Sequence, residues 1–479
     1  MINHPGVYHR RMAALPLSTT DFRALAAEVT ALASDYLAVL GERRAFPQVS
    51  GKQSLEAFAD PLPEEGLGPA ALGGLQGLLE LSRAPSPRFF GYVLGSGEPV
   101  AALADLLASV LNQNVTAWRS APAAVALERQ LIGALAAAIG CPGHLGSFCG
   151  GGSMANLMGL AMAREARLPA NDSGVRPGVV YASSEVHMSI PKAMALLGLG
   201  RERLRLIPTD DSWRMSVPHL RRAIAADRAA GVQPLAVVAT SGTVNTGSID
   251  PLAEIAAVCR EHGLWMHVDG AYGALAALAI PERFSGINAA DSVSLDPHKW
   301  LYQPLDCGVL LFRDAAAARK AFSYSGDYAR PMEQDPLEGF AFFEESFELS
   351  RRFRALKLWL SVRYHGLQAF RRAIRDDLQH ARLLAQQITA TSRLELAAPV
   401  SLSAVCFRYC GPAAGLEGDQ LNAAILKRVV ERGGVYLSNA TLRGRFVLRA
   451  CFVNHRTTEA DVARVVPEVL AAADEALAH

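Results

Sequence analysis

The sequence predicts an α/β fold, in which a mostly parallel central sheet carries helices on both faces, followed by a small α+β domain. Between residues 83 and 366, short β-branched apolar runs alternate with Ala-rich segments of helical spacing. The runs are apolar throughout and are bounded by Gly, Pro or Asp, which is typical of parallel strands buried on both faces. After residue 366 the pattern changes to single strands among longer helices, which favours a separate α+β arrangement.

Composition narrows the class of protein further. A chain of 479 residues is too long for one ordinary core, so we expect two or three domains. The formal net charge is +1 with no long run of one sign, which argues against a nucleic-acid partner. Seven dispersed cysteines do not form a disulfide pattern, the first residues lack the apolar core of a secretory signal, and apolar stretches are too short to span a membrane. We expect a cytoplasmic protein that acts on a small molecule.

Three regions follow in order along the chain. Residues 1–82 form an N-terminal helical segment, where Asp21 could cap the helix and which could pack on another subunit. Residues 83–366 form the large domain, with strands predicted at GVVYASS, LAVVATSG, LWMHVDG, DSVSLD and CGVLLF. Residues 367–479 form the small domain, which contains a long helix, strand AVCFRY, a second helix, strand RFVLRACF and a closing helix from Thr458.

The strongest local signal is the lysine in DSVSLDPHKW. The predicted strand ends at Leu295, Pro297 stops it, and His298 and Lys299 follow together. A lysine at the end of a buried strand is unusual, because burial disfavours its charge, and a desolvated lysine is what Schiff-base chemistry needs. The alternative is an exposed loop lysine, which is how most lysines occur.

A second signal is the aspartate in LWMHVDGAYGA. Asp269 ends a predicted strand and is followed by Gly270 and Ala271, which leave room for a planar ring. A carboxylate fixed there could keep a pyridine nitrogen protonated, as pyridoxal 5'-phosphate (PLP) chemistry requires. The alternative is a helix-capping aspartate. The 30 residues that separate Asp269 from Lys299 (299 − 269) fit one helix and one strand, so both groups would reach the same edge of the sheet.

Two further segments complete the pattern. GSFCGGGSMANL leads through glycines into Ser153 and a helix, whose N-terminus could hold a phosphate, although such turns often serve only close packing. YASSEVHMS places His187 after a strand, where a lone histidine is more often structural. The joint order of glycine turn, histidine, aspartate and lysine, each after its own strand, is more specific than any one member. No metal site is predicted, since His262 and His267 lack a third ligand at fitting spacing.

Through these and further segments, the chain resembles the PLP-dependent group II amino-acid decarboxylases, a family that includes the aromatic-L-amino-acid, tyrosine, histidine and glutamate decarboxylases. The resemblance rests on GGGSMANL, SSEVHMS, VATSGTVNTGSID, HVDGAYG, DPHKW, LSRRFRALKLW and LRACFVNHRTT, which cover nearly the whole chain in the family's order. It implies the aspartate-aminotransferase-like fold (fold type I), PLP as cofactor, an amino-acid substrate and a homodimer with active sites near the subunit interface.

The resemblance also implies roles for single residues. Lys299 would be the Schiff-base lysine and Asp269 the partner of the pyridine nitrogen, while His187 would stack on the ring. The remaining cofactor contacts would come from Gly152, Ser153 and His298 at the phosphate, Ala271 against the ring, and Thr243 behind the site. The family uses a loop tyrosine to return a proton after carbon dioxide leaves. In AFSYSGDYARP, spacing favours Tyr328 over Tyr324 for that role.

Departures from the family pattern leave the substrate open. Asp296 stands where aromatic decarboxylases often have an asparagine, and we do not count it as a phosphate ligand because an anion there would repel phosphate. Predicted pocket residues are Tyr92, Val93, Asn114 and Thr116, of which the last two make the pocket more polar. Decarboxylation of an aromatic amino acid is the leading expectation. The alternatives are oxidative deamination-decarboxylation to an aldehyde, a polar substrate such as glutamate or 2,4-diaminobutyrate, another PLP reaction, and a non-catalytic member of the fold.

Overall fold

The computed structural model of this chain describes residue 15 and residues 17–324, 336–412 and 417–478. The chain divides into two compact units, residues 1–86 and residues 87–479. The first unit contains helices α1 (Thr19–Ala38), α2 (Gly51–Glu56) and α3 (Leu75–Leu81). Helix α1 begins after Ser18, whose hydroxyl accepts a hydrogen bond from the Asp21 amide. Asp21 is therefore not the cap that we expected, but an acidic residue in the first turn.

The second unit contains both sheets. Its helices are α4 (Pro99–Leu111), α5 (Pro122–Ala138), α6 (Gly152–Arg167), α7 (Ser189–Leu196), α8 (Val217–Ala229), α9 (Leu252–His262), α10 (Pro297–Trp300), α11 (Ala315–Phe322), α12 (Ala355–His365), α13 (Leu367–Thr389), α14 (Gly418–Arg432), α15 (Glu459–Val462) and α16 (Val465–Leu477). Its strands are β1 (Leu145–Cys149), β2 (Val179–Ser183), β3 (Leu204–Ile207), β4 (Pro234–Thr240), β5 (Trp265–Asp269), β6 (Ser292–Leu295), β7 (Gly308–Phe312), β8 (Leu394–Leu396), β9 (Ala404–Tyr409), β10 (Ser438–Leu442) and β11 (Arg445–Cys451).

The central sheet has seven strands in the order β1-β7-β6-β5-β4-β2-β3. Strand β7 is antiparallel to both of its neighbours, while the pairs from β6 to β3 are all parallel. The expected mostly parallel sheet is therefore confirmed, and the five strands that the sequence predicted in this region are β2, β4, β5, β6 and β7. Parallel order brings the carboxyl ends of β4, β5 and β6 to one edge, where ligands bind in such sheets.

Helices cover both faces of this sheet because alternate strand residues point to opposite sides. Val180 and Ala182 of β2 join a core with helices α6, α7 and α11. Val179 and Tyr181 join the opposite core, which includes helices α5, α8 and α9. Every residue of β2, β4, β5, β6 and β7 is buried, which explains the continuous apolar runs in the sequence.

The C-terminal part contains a second sheet, which has four antiparallel strands in the order β10-β11-β9-β8. Helices α13, α14 and α16 pack on it around a separate core. The segment that precedes α4 joins this sheet, since the Phe90 amide donates to Tyr436 O and the Cys451 amide donates to Phe90 O, both at 2.9 Å. Residues assigned from the sequence to the large domain thus contact the C-terminal part, and the boundary at residue 366 stays a prediction.

Two negative observations bear on the class of protein. Within the described ranges, no helix combines the length and the apolar character that crossing a bilayer requires. The same residues contain no group of His, Cys, Asp or Glu side chains that could hold a metal ion. All seven cysteines are free thiols, and only Cys410 is exposed.

Candidate active site

Asp269 is the last residue of β5 and is held by three hydrogen-bond donors. Its Oδ1 accepts from the Ala271 amide and the Ser294 hydroxyl, both at 3.2 Å. Its Oδ2 accepts from Asn156 Nδ2 at 2.9 Å. A carboxylate is an acceptor-only group when ionised, so three donors suit its charged form and fix its direction.

A buried polar chain lies behind this carboxylate. Asn156 Oδ1 is 2.9 Å from His267 Nε2, and His267 Nδ1 is 2.8 Å from the Ser292 hydroxyl. Because an amide oxygen only accepts, the Nε2 atom of His267 carries the hydrogen. Burial lowers the pKa of His267 to about 4, against the opposing effect of Asp269, so the ring is neutral. Asn156 was not predicted from the sequence as a site residue, and His267 was considered only as a metal ligand.

Lys299 reaches the same edge from the next strand. Strand β6 pairs with β5 in parallel, with Asp269 opposite Ser294, and the short helix α10 follows at once. Lys299 Nζ lies 3.0 Å from Asp296 Oδ2, and His298 Nε2 lies 3.5 Å from the same oxygen. The Nδ1 atom of His298 is 2.8 Å from the Cys307 carbonyl oxygen, and burial lowers the pKa of this imidazole although Asp296 opposes the shift. The unusual lysine of the sequence is thus half-buried beside a buried carboxylate.

The glycine turn between β1 and α6 closes the site from the other side. Gly151 has φ of +117°, a conformation that L side chains rarely adopt. A Cβ atom at Gly152 would lie 2.5 Å from Ala271 Cβ and 2.9 Å from Asp296 Oδ2. Only glycine therefore lets the N-terminus of α6 approach Asp296 and Ala271 so closely.

His187 follows β2 and precedes α7. Its Nδ1 accepts from the Ser189 amide at 3.2 Å and contacts the Ser189 hydroxyl at 2.9 Å. Burial lowers the pKa of His187, with Asp269 opposing. A neutral ring whose Nδ1 accepts a hydrogen bond carries its proton on Nε2.

One cleft of about 270 Å³ unites these groups. Seven of the residues predicted from the sequence line it, namely Gly152, Ser153, His187, Asp269, Ala271, His298 and Lys299. Thr243 does not line it, but lies fully buried beside it, with its hydroxyl 2.8 Å from that of Thr246. The sequence therefore predicted which side chains meet here, since each follows a strand that ends at the same edge.

The comparison with protein families decides the assignment. The family model described as the pyridoxal-dependent decarboxylase conserved domain matches residues 79–410 of this chain. The chain is a pyridoxal-dependent decarboxylase. Its cofactor is pyridoxal 5'-phosphate, and the expected family is confirmed.

Several curated relatives of this decarboxylase share about a third of its residues. The aromatic-L-amino-acid decarboxylase of Bacillus atrophaeus is 34% identical over 474 residues, covering 96% of this chain and 97% of the relative. The L-2,4-diaminobutyrate decarboxylase of Rhizobium meliloti (strain 1021) is 32% identical over 434 residues, which cover 90% of this chain and 87% of the relative. The phenylacetaldehyde synthase of Petunia hybrida is 32% identical over 390 residues, which cover 77% of this chain and 77% of the relative.

A solved structure supports the fold of the decarboxylase. The crystal structure of Oryza sativa TDC with PLP and tryptamine superposes with a TM-score of 0.90 at 28% identity, covering 97% of this chain and all of that chain. The aspartate-aminotransferase-like fold expected from the sequence is confirmed.

The cleft of this decarboxylase also has structural features that suit PLP, independently of the similarity to relatives. The glycine backbone at Gly151 and Gly152 leaves a space that a Cβ atom would fill. Thr240 and Asp296 both line the cleft, and among the described residues Thr240 Oγ1 and Asp296 Oδ1 are buried without a hydrogen-bond partner. The cleft also pairs an acceptor-only carboxylate with a lysine, the two groups that a pyridine nitrogen and an aldehyde require.

The structure does not bring the four predicted pocket residues into the cleft of one chain. Tyr92 is 51% exposed, with its hydroxyl 3.3 Å from that of Tyr436, and Val93 is buried in the core. Asn114 Oδ1 accepts from the Arg351 amide at 2.9 Å, and the buried Thr116 hydroxyl has no partner among the described residues. Their position depends on packing far from the strand ends, which sequence motifs do not encode.

The sequence offered two loop tyrosines as the proton donor. Tyr324 is 95% exposed at the end of the segment that follows α11. Tyr328, which spacing favoured as the proton donor, lies outside the described residues. Leu305, which was not predicted from the sequence, is exposed and lines the cleft.

Proposed function

We propose that this enzyme decarboxylates an L-amino acid to the corresponding amine and carbon dioxide, with an aromatic amino acid as the leading substrate. One observation carries the proposal: Asp269 ends β5, Lys299 follows the adjacent parallel strand β6, and both line one cleft. The aromatic-L-amino-acid decarboxylase of Bacillus atrophaeus, similar over nearly its whole length, supports the substrate class.

The proposed roles divide the cleft into three parts. Lys299 would form the covalent link to the cofactor aldehyde, and Asp269 would hold the proton on the pyridine nitrogen. His187 would stack on the ring with Ala271 on the other side, and Thr243 would support the site from behind. The phosphate would be held by a third group, made of Gly152, Ser153 and His298. When bound, PLP supplies the electron sink for the pair of electrons left when carbon dioxide departs.

The chain's own residues supply charge placement and protons. Three donors fix Asp269 in one direction, so its charge needs no reorganisation during the reaction. His187, neutral through burial, has a proton on Nε2 and lines the cleft, which makes it a candidate to protonate the former α-carbon. Tyr328 is the other candidate for that step.

We propose that the enzyme acts as a homodimer in the cytoplasm. Helix α4 presents an apolar surface of exposed side chains that suits burial against a second copy, formed by Leu103, Leu106, Leu107, Val110 and Leu111. The exposed Leu305 at the cleft would also gain cover. Of the four predicted pocket residues, the exposed Tyr92 and Asn114 would then reach a substrate only in the assembled dimer, whereas Val93 stays buried in the core of its own chain. Seven free thiols suit a reducing compartment. Light scattering at micromolar concentration should give twice the mass of the 51.1 kDa chain.

The second candidate is conversion of the amino acid to an aldehyde. The similarity to the Petunia hybrida phenylacetaldehyde synthase is the observation that favours it. An aldehyde product would come with ammonia release and oxygen consumption, whereas simple decarboxylation needs neither. The Rhizobium meliloti relative makes 2,4-diaminobutyrate a further substrate to test.

The proposal is tested by cofactor trapping and product analysis on the purified full chain. Borohydride reduction of the PLP-loaded protein should fix the cofactor on the peptide that contains Lys299. Lys299→Ala should lose the visible band of bound cofactor, whereas Lys192→Ala, at an exposed position on α7, should keep it. Carbon dioxide and amine in equal amounts from aromatic amino acids would support the proposal. Modification of another lysine, or carbon dioxide from none of the aromatic, glutamate and diaminobutyrate substrates, would refute it.

A further inference from the structure

Asp296 is a buried carboxylate that the proposed mechanism does not use. It is 2% exposed and directly precedes helix α10. Oxygen Oδ2 lies 3.0 Å from Lys299 Nζ, whereas Oδ1 has no hydrogen-bond partner among the described residues. Cβ atoms at Gly151 and Gly152 would lie 3.9 Å from Oδ1 and 2.9 Å from Oδ2. The carboxylate therefore faces the glycine turn and has one oxygen available.

This position creates a conflict of charges when the cofactor binds. If the phosphate occupies the glycine turn, as proposed above, two anions meet in a site shielded from water, where repulsion is strong. The Lys299 ammonium now balances Asp296, but a lysine bonded to the cofactor has fewer N–H groups to offer. The carboxylate would lose its counter-ion as the phosphate arrives.

The other groups near Asp296 do not resolve this conflict. His298 Nε2 is 3.5 Å away, and burial lowers the pKa of that ring. Arg354 is committed to Glu348 and Asp306, in hydrogen bonds of 2.9 to 3.0 Å. Among the described residues, the titratable groups that interact with Asp296 are Lys299, His298, His187, Cys149 and Cys307. The charged groups Asp306, Glu348, Arg354 and Lys357 in turn interact with the two thiols. Burial raises the pKa of both thiols, so they add no charge.

We propose that Asp296 takes up one proton from solvent when the phosphate of the cofactor binds, and that the resulting hydroxyl donates a hydrogen bond to the phosphate. The unpartnered Oδ1 beside the glycine turn is the atom that would carry this proton. Asp296 thereby becomes a cofactor-binding residue, although the sequence argued against this because an anionic side chain would repel the phosphate. Cofactor affinity must then fall as the pH rises, because each binding event consumes a proton. The inference rests on the proposed position of the phosphate.

The test compares binding of PLP and of pyridoxal, which lacks the phosphate, to the cofactor-free full chain. Dissociation constants are measured from pH 7 to pH 9 by equilibrium dialysis, and proton uptake by calorimetry in two buffers of different ionisation enthalpy. The unmodified chain should take up about one more proton with PLP than with pyridoxal. In Asp296→Asn that difference should vanish. The ratio of the PLP dissociation constants, unmodified over Asp296→Asn, should rise about tenfold per pH unit.

Two further variants locate the proton. Asp306→Asn removes a carboxylate that faces Gly150, but that Arg352 and Arg354 already pair, so the uptake should remain. His298→Gln should also keep it, because the carboxyl and not the imidazole carries the proton. Equal uptake with PLP and pyridoxal in the unmodified chain, parallel pH dependences in Asp296→Asn, or loss of uptake in His298→Gln would each overturn the inference. The first of these needs no variant, so a misfolded mutant cannot obscure the result. Failure to bind PLP at all would instead overturn the cofactor site.

Discussion

Replacing Asn156 by alanine tests whether the buried polar chain behind Asp269 serves the cofactor or only the fold. Asn156 is 1% exposed and makes three side-chain hydrogen bonds, all at 2.9 Å. Its amide nitrogen donates to Asp269 and to Ser189, and its oxygen accepts from His267. The substitution leaves Asp269 with two donors and leaves the Nε2–H group of His267 buried without an acceptor.

The magnitude follows from the bonds that are lost. A hydrogen bond to a charged group contributes about 2 kcal/mol and a neutral one about 1 kcal/mol, so the free energy of unfolding should fall by about 4 kcal/mol. Asp269, held by two donors instead of three, can turn away from the pyridine nitrogen. If most of the contribution of the hydrogen bond between Asn156 and Asp269 is needed to hold the Asp269 carboxylate in place, the affinity for PLP should fall by roughly 10- to 100-fold.

A matched control separates the two effects. Asn422 on α14 is equally buried and also makes three hydrogen bonds, to the amide and carbonyl of Tyr409 and to the carbonyl of Gly418. In Asn422→Ala the free energy of unfolding should fall by about 3 kcal/mol, because all three bonds are neutral. Its PLP affinity should stay at the level of the unmodified chain.

The assays are urea unfolding of the cofactor-free chains and fluorescence titration with PLP under conditions where each variant is folded. The reasoning is refuted if Asn156→Ala binds PLP as tightly as the unmodified chain, or if Asn422→Ala loses as much affinity as Asn156→Ala. In the first case the chain behind Asp269 would serve stability alone. In the second case, the loss of PLP affinity in both variants would reflect only a general loss of stability of the folded chain.

Three further predictions concern stability and are measured by urea unfolding. Burial raises the pKa of Asp377 to about 7, so its contribution to the free energy of unfolding is full below pH 4 and is lost as the pH rises through 7. The free energy of unfolding of the unmodified chain should therefore fall by roughly 4 kcal/mol over this range, and Asp377→Asn should remove that fall. An unchanged pH profile in the variant would contradict this. Gly159→Ala should lower the free energy of unfolding by about 1 to 2 kcal/mol, because its Cβ would lie 2.5 Å from His267 Nδ1. The cost of this overpacking outweighs the gain in helix propensity. A stabilised variant would show that α6 can shift freely. Arg351→Met should cost about 3 to 5 kcal/mol, because it leaves the fully buried Glu128 carboxylate unpaired, and adding Glu128→Gln should recover part of the loss.

The sequence predicted the strands that are buried on both faces and missed those at the edges. Strands β2, β4, β5, β6 and β7 are continuous apolar runs because helices cover both of their sides. Strand β3 lies at the sheet edge with only its last residue buried, and β10 alternates buried and exposed residues. Neither has an apolar run to detect. The reversed direction of β7 was also hidden, since burial on two faces is the same for either direction.

The site was predictable wherever a residue follows a strand, and unpredictable where it depends on packing. Asp269, Lys299 and His187 occur in such positions, and the parallel order of the strands brings them together. Asn156 lies inside a helix, four residues after Gly152 and three before Gly159, on the face of small residues that contacts the sheet. An amide on that face was a signal in the sequence, because a polar group packed against a sheet needs a buried partner.

The two aspartates beside the cleft show how position in a sheet assigns different tasks to the same side chain. Asp269 is held by three neutral donors and is backed by a neutral imidazole, so its carboxylate is fixed in one direction before a cofactor binds. Asp296 has a cationic partner on one oxygen and none among the described residues on the other. That cationic partner is Lys299, the residue that must change partners when the cofactor binds. A carboxylate held by fixed neutral donors suits the pyridine nitrogen, which must stay protonated throughout the reaction, whereas a carboxylate whose counter-ion changes partners suits a site that has to admit a phosphate anion.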